Sequence, residues 1–203
     1  MPKPKTELEF KQLKKADSPE YKKIVKLYEK EFSSDTRREI ENKTKLLEKD
    51  NYTLHCVTLN KKFAGFIIIW ELSKFRFVEH FAVEEAIRGK GIGSEILKHF
   101  LGEKEVVLEV ALPQESPEEA EEEGNDKTEL SKTGLSKVGL TDDKISFYEK
   151  LGFKINPYKY IQPAYEPHKK PVELKIMSYP DYLDKVKFMM AEAEIHEKVY
   201  GQV

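Results

Sequence analysis

Apolar and polar positions alternate over residues 7–15, where Leu8, Phe10 and, less regularly, Leu13 make one face, and the pattern predicts an opening strand. Ser18-Pro19-Glu20 then marks a helix start, because serine can cap free amides and proline fits the first turn. Ile24, Leu27, Tyr28 and Phe32 recur at helical spacing until Ser33-Ser34-Asp35 interrupts them. A second helix is predicted over residues 36–49, with Ile40, Leu46 and Leu47 inward. Strands follow over residues 52–59 and 63–72, joined by the short polar connection Asn60-Lys61-Lys62. A third strand covers residues 75–83, ahead of a glycine-rich turn, a helix over residues 91–101 and an apolar strand over residues 105–112.

The pattern changes at residue 113. Residues 113–140 open on an acidic cluster (Glu115, Glu118, Glu119, Glu121, Glu122, Glu123) and close on a tandem echo, SKTGL followed by SKVGL. They read as a long surface loop. A helix over residues 141–151 is capped by Thr141 or Asp142 and closed by Gly152. Residues 153–161 and 171–178 form a last strand pair around a loop of residues 162–170. An amphipathic helix over residues 182–200, with Leu183, Val186, Met190 and Ala193 inward, supplies a core or dimer contact. The expected organisation is one domain over residues 1–178, with the 113–140 insertion, and a terminal helix over residues 179–203.

Composition narrows the function. A hydrophobic fraction of 39% in 203 residues supports a proper core. A formal net charge of -2 argues against a dedicated nucleic-acid binder. No apolar stretch reaches the roughly 18 residues that span a bilayer. The start, MPKPK, lacks the apolar stretch of a signal peptide, and the single cysteine, Cys56, allows no internal disulfide, so a cytoplasmic setting is expected. Cys56 sits in an apolar run and reads as a buried thiol rather than a nucleophile. His55, His80, His99, His168 and His196 show no metal-ligand spacing, so no metal is expected.

The turn Arg88-Gly89-Lys90-Gly91-Ile92-Gly93-Ser94 links an apolar strand to a helix. The first helical amides have no intrahelical partner and carry the positive end of the helix dipole. Glycines let the backbone come close to an anion, so a phosphate or pyrophosphate is the expected ligand. Arg88 and Lys90 add mobile charge for peripheral phosphates. The dinucleotide fingerprint fails because Ser94 follows Gly93, and no lysine-serine or lysine-threonine pair closes a triphosphate loop.

The string RGKGIG resembles the signature of the GNAT acyltransferase superfamily, with Arg88, Gly91 and Gly93 in its defining places. Phe81-Ala82-Val83 looks like that family's bulged strand, and SFYEKLGF, residues 146–153, is similar to its closing helix and strand. The resemblance covers residues 7–178. It implies an α/β (α+β) fold, a mixed, splayed central sheet flanked by helices, here with an added C-terminal helix. It also implies acetyl-CoA as co-substrate, its pantetheine arm paired with Phe81, Ala82 and Val83. The pyrophosphate would then sit on Arg88, Gly89, Lys90, Gly91, Ile92, Gly93 and Ser94. Many relatives carry an asparagine seven residues before the tyrosine of that closing helix, here Tyr148, where this chain has Thr141.

Acyl transfer from a thioester to an amine needs a proton acceptor for the amine, a donor for the oxyanion and an acid for the thiolate. Tyr148 is the candidate acid, since a phenol with pKa about 10 is protonated at neutral pH. The Phe81 amide is the resemblance-based oxyanion donor. Glu79 is the candidate base: strand alternation sets Glu79 and Phe81 on one face and His80 on the other. The competing role for Glu79 is a buried ion pair. The resemblance implies that residues 32–38, Trp70 and the loop 162–170 build the acceptor side, with Tyr165 and Arg37 as candidates. The expected activity is acetyl transfer to a primary amine of a small molecule or peptide by direct attack in a ternary complex. The alternative is a catalytically idle acyl-CoA-binding sensor or scaffold. No nucleic-acid or membrane partner is expected, and the terminal helix is available for a homodimer.

Overall fold

The computed structural model describes residues 7–111 and 135–201, with residues 135–142 as backbone only. The acidic cluster expected as a surface loop lies outside the described residues. The elements run β1 (Leu8–Leu13), α1 (Pro19–Glu31), α2 (Ile40–Leu46), β2 (Tyr52–Leu59), β3 (Lys62–Glu71), β4 (Phe75–Val83), α3 (Ile92–Phe100), β5 (Glu105–Val110), α4 (Leu135–Lys150), β6 (Lys154–Ile155), β7 (Tyr160–Gln162), β8 (Val172–Tyr179) and α5 (Lys185–Glu194). The last helix passes into a π-helical turn, Ile195–Val199.

Local chemistry places the boundaries. Ser18 Oγ accepts from the Tyr21 amide at 3.1 Å and caps α1. Asn60 and Lys61 take φ of 50° and 64°, the left-handed pair that a two-residue hairpin turn requires between β2 and β3. The last sheet segment breaks into β6 and β7, with Pro157, which has no N–H to pair, between them. Helix α4 begins at Leu135, ahead of the expected Thr141, so residues 135–140 are helical rather than loop.

The strands form one sheet in the order β1-β2-β3-β4-β5-β8-β6, with β7 also on β8. Every pairing is antiparallel except β4 with β5. Helices cover both faces. Tyr21, Ile24, Leu27 and Tyr28 of α1 and Phe188 and Ala191 of α5 pack on one face with Phe66, Ile68, Trp70, Phe75 and Phe77. Ile92, Ile96, Leu97 and Phe100 of α3 pack on the other with Ile67, Ile69, Val78 and Val106. Phe147 and Tyr148 of α4, and Leu151 just after it, join this second core.

The terminal helix turns differently from the pattern predicted for it. Leu183 is buried, but Val186 is 68% exposed, and the inward stripe is Phe188, Ala191, Ile195 and Val199. Asp184 caps α5 through the Lys187 amide at 2.8 Å, so Leu183 belongs to the entry into the helix and not to its face.

Two irregularities of β4 set the site. It pairs with β5 only from Phe75 to Val78, opposite Glu105 to Leu108. Beyond that, β4 stays on β3 as far as Val83 while β5 stays on β8 as far as Val110, so the sheet splits. On its other side, Ile69 pairs with Val78 and Ile68 with His80, which leaves Glu79 as the extra residue of a β-bulge.

Candidate functional site

The split exposes one edge of β4. Glu84 N–H donates to the Ala64 carbonyl at 2.8 Å, and along an antiparallel ladder bonded and non-bonded pairs alternate. With Ala82 opposite Phe66 and Phe81 opposite Ile67, Ala82 bonds to β3. The amides and carbonyls of Phe81 and Val83 therefore point to the edge that β5 has left. Arg88 Nε takes the Val83 carbonyl at 2.9 Å, in keeping with that direction.

The glycine turn lies at the end of this edge. Gly89 and Gly91 have φ of 73° and 80°, and Gly91 occupies the N-cap of α3. A Cβ at either would meet nothing within 4 Å, so the left-handed backbone, not crowding, demands glycine, and the space above the turn is open. The first hydrogen bond of α3 runs from Glu95 N–H to the Gly91 carbonyl, which leaves the amides of Ile92, Gly93 and Ser94 for an anion. The cations are less mobile than the sequence suggests. Arg88 is pinned between the Val83 carbonyl and Glu31, at 2.7 Å, and fastens the turn to β4 and α1. Lys90 Nζ donates to the Ala86 carbonyl at 3.0 Å at the surface.

Phe81 projects toward α4, where its ring lies 6.3 Å from that of Phe147. Tyr148 packs against Phe147 and Phe153, with ring centroids at 5.1 and 5.7 Å. Burial pushes its phenol up to about 12, so the hydroxyl keeps its proton at neutral pH.

Glu79 and His80 lie on the opposite face, and here the alternation expected from the sequence fails. The bulge adds a residue and resets the period, so Glu79 and His80 share a face and Phe81 takes the other. His80 Nδ1 is 4.0 Å from Glu79 Oε1. His80 Nε2 meets the Thr36 carbonyl at 3.0 Å, and burial lowers the imidazole to about 4, which leaves it neutral. Glu79 takes the ion-paired form. Oε1 accepts from Arg38 Nε at 2.9 Å and Oε2 from Trp70 Nε1 at 2.8 Å, with the side chain 1% exposed. Burial raises its pKa, but Arg38, His80 and the Trp70 hydrogen bond outweigh that and hold the carboxyl below its usual range.

Around this pair the chain assembles a polar, aromatic cluster. The Arg38 guanidinium stands 4.6 Å from the Tyr165 ring centre and 5.8 Å from those of Trp70 and Tyr200. Its amide donates to Tyr28 Oη at 2.8 Å, and its Nη2 reaches the Val199 carbonyl. Trp70 and Tyr165, both expected on the acceptor side, thus stand against the same guanidinium. Arg37 does not join them: its Nε turns back to the Phe32 carbonyl at 3.2 Å, and the next residue supplies the guanidinium.

Glu109 completes the cluster and went unnoticed in the sequence. It follows Leu108, the last β5 residue paired with β4, as Glu79 follows Val78. Tyr160 Oη donates to its carboxyl, and Tyr200 Oη does so at 2.8 Å. Burial raises the carboxyl to about 7, against the pull of the Tyr160 and Tyr200 hydrogen bonds. Its signal was available: a glutamate inside the apolar run Val106-Val107-Leu108-Glu109-Val110, the same cost that drew attention to Glu79. Tyr200 and Arg38 carried no such signal, since only folding brings residues so far apart in sequence together.

Among the described residues, no group of three or more His, Cys, Asp or Glu could hold a metal ion, and no helix is long and apolar enough to cross a membrane. The arrangement is an open strand edge ending in an anion-ready helix start, with a phenol on one face of the sheet and a carboxylate pair on the other. No curated protein is significantly similar in sequence. A chain from Bacteroides thetaiotaomicron assigned to the GNAT family is 26% identical with a TM-score of 0.77, covering 96% of this chain and 99% of that one. The ribosomal-protein-S18-alanine N-acetyltransferase from Escherichia coli shares the fold at 19% identity, a TM-score of 0.51, and coverage of 88% and 96%. So does smu.2055 from Streptococcus mutans, at 16% identity, a TM-score of 0.54, and coverage of 84% and 98%. The family model described as the acetyltransferase (GNAT) domain matches residues 50–155, more than half of the sequence. This chain, with its split sheet and its glycine turn at the end of β4, belongs to the GNAT acetyltransferase family.

Proposed function

We propose that the protein transfers an acetyl group from acetyl-CoA to a primary amine of a small molecule or peptide, by direct attack in a ternary complex. The observation that carries this reading is the free edge of β4 beyond Val78, which ends at the three free amides of α3. An extended pantetheine arm would pair with the edge-facing groups of Phe81 and the Val83 amide, as a peptide strand pairs with a sheet edge, while Ala82 between them keeps its backbone bonds to β3 and serves the arm only by its place in the strand. The pyrophosphate would lie on Gly89, Lys90, Gly91, Ile92, Gly93 and Ser94, with Arg88 bracing the turn.

The amine nitrogen attacks the thioester carbon, the C–N bond forms and the C–S bond breaks. The Phe81 N–H receives the developing oxyanion, and Tyr148 Oη gives its proton to the departing thiolate. The acceptor approaches from the face of Glu79 and Glu109; Arg38 holds Glu79 as an ion pair, so the Glu109 carboxyl is the group on that face that takes the proton of a cationic amine. A catalytically idle acyl-CoA-binding module would need neither an acid nor a base, and the protonated phenol of Tyr148 and the Glu109 carboxyl near 7 favour the catalytic reading over it. A cytoplasmic location and a monomer or homodimer are compatible with this reading.

Calorimetric titration of the full chain with acetyl-CoA, followed by thiol release with a panel of primary amines, tests the proposal. Binding with amine-dependent thiol release is expected. Binding without release from any amine would leave the acyl-CoA-binding module.

A further inference from the structure

An acceptor amine on the reading above must reach the Glu109 carboxyl, yet both of its oxygens are covered. Tyr160 Oη donates to Oε1, and Tyr200 Oη lies 3.1 Å from Oε1 and donates to Oε2 at 2.8 Å. The two phenols are held differently. Tyr160 belongs to β7 and is fixed by its pairing with Leu174 of β8. Tyr200 follows the π-helical turn Ile195–Val199, and such turns occur often at functional sites. Ile195 and Val199 root that turn in the core. Beyond Val199 the hold is largely polar. The Val199 carbonyl takes Arg38 Nη2, and Tyr200 Oη meets Glu109 and lies 3.3 Å from Tyr165 Oη.

The seam beneath the turn is polar as well. Tyr160 and Gln162 are buried on one face of β7, with Ile161 between them turned outward. The His196 ring, from the turn, stands 5.6 Å from that of Tyr160. Gln162 Nε2 and His196 Nε2 are both buried without a hydrogen-bond partner among the described residues. A seam that stays closed gains nothing from orphaned polar groups, because each gives up water and receives no partner. Two orphans beside Tyr160 mark instead a place that a polar ligand completes once Tyr200 has moved.

We propose that Tyr200 is a latch over the acceptor site, standing on Glu109 where the acceptor's ammonium goes, and that the acceptor displaces it and pairs Gln162 and His196 with its own polar groups. The phenol donates to the carboxyl as an ammonium N–H does, so the closed latch imitates the bound amine. The Gln162 amide nitrogen only donates, so the acceptor carries a carbonyl or hydroxyl oxygen near its amine. A bare alkylamine leaves both orphans unpaired. The acceptor binds the open form alone, and its apparent Kd is the intrinsic one divided by the open fraction. Weakening the latch therefore tightens acceptor binding, the reverse of what loss of a packing residue does.

The test uses the full chain with acetyl-CoA, following thiol release with alaninamide and with butylamine. Tyr200→Phe keeps the ring beside Tyr165, with centroids at 4.8 Å, and gives up the hydrogen bond to Glu109. The KM for alaninamide should fall about tenfold or more, with the acetyl-CoA Kd unchanged. A KM that is unchanged or raised overturns the latch. Gln162→Leu should raise the KM for alaninamide about tenfold and leave that for butylamine alone. An equal effect on both amines, or none on either, overturns the oxygen-bearing acceptor. Gln162→Met repeats the measurement if the leucine variant does not fold. If neither wild type nor Tyr200→Phe releases thiol with either amine, the function reading fails. The latch is then judged by calorimetry of alaninamide with the chain saturated in coenzyme A. Tighter binding in Tyr200→Phe supports it, and equal or absent binding in both proteins overturns it.

Discussion

Glu79 and Glu109 each stand one residue beyond the last paired positions of β4 and β5, Val78 and Leu108, and their surroundings drive their acidities apart. Glu79 is locked in charge by Arg38, whereas Glu109, held by phenols, sits near 7. Two carboxyls separated in this way can serve one structural and one chemical purpose.

The stability of the protein should be unusually flat in mild acid. The His80 pKa falls from 6.5 to about 4 on folding, so below 6.5 the unfolded chain binds a proton that the native state refuses, and stability is lost as pH falls. The Glu109 pKa rises from 4.5 to about 7, so the native state holds a proton that the unfolded chain releases, and stability is lost as pH rises. Between 4.5 and 6.5 the two slopes oppose each other. Glu109→Gln removes one of them. Urea melts should then show stability rising with pH relative to wild type, at up to about 1.4 kcal/mol per pH unit. Parallel curves for the two proteins would contradict this.

Removing half of the central ion pair should be costly. Arg38→Ala leaves the Glu79 carboxylate buried with only Trp70 for a donor, which is expected to cost about 3–5 kcal/mol. The double variant Arg38→Met, Glu79→Gln, with no buried charge left, should recover most of that loss. Denaturant unfolding of the three proteins measures it. A double variant no better than the single one would mean that packing, not charge, holds the cluster.

Lys43 is the opposite case. Its Nζ is buried without a hydrogen-bond partner, 3.0 Å above the centre of the Tyr28 ring, and burial lowers its pKa well below the usual value. An unsatisfied buried amine costs about 1–3 kcal/mol, so Lys43→Met should raise stability by a similar amount. Because the native pKa lies below that of the unfolded lysine, about 10.4, the native state binds fewer protons, and the gain should shrink as pH rises toward the unfolded value. Thermal melts at pH 7 and pH 9.5 will show whether it does.

Tyr148→Phe keeps the ring contacts with Phe147 and Phe153 and deletes only the acid. Acetyl-CoA should bind as before while thiol release falls by about 100-fold or more. A leaving group of low pKa needs no proton, so acetyl transfer from a nitrothiophenol ester should lose much less. Equal loss with both donors would assign Tyr148 a packing role.

Much of the fold was legible because local rules wrote it. The Ser18 cap, the Asn60-Lys61 turn and the limits of β4 follow from side-chain chemistry within a few residues. The glycine turn was legible for the same reason, since only glycine takes φ near 80° without strain at a helix start.

What the sequence could not decide was which way β4 faces. Strand alternation has a period of two, so a single extra residue exchanges the faces of everything after it, and whether one is inserted depends on the register with β3. The sequence by itself determined an anion-ready turn and a tyrosine on the closing helix, and the strand edge beside the turn was expected only through the family resemblance. The tertiary structure decided that Glu79 meets Arg38 and that Glu109 stands across the split, because those contacts join residues 41 positions apart and strands that pair only through the sheet.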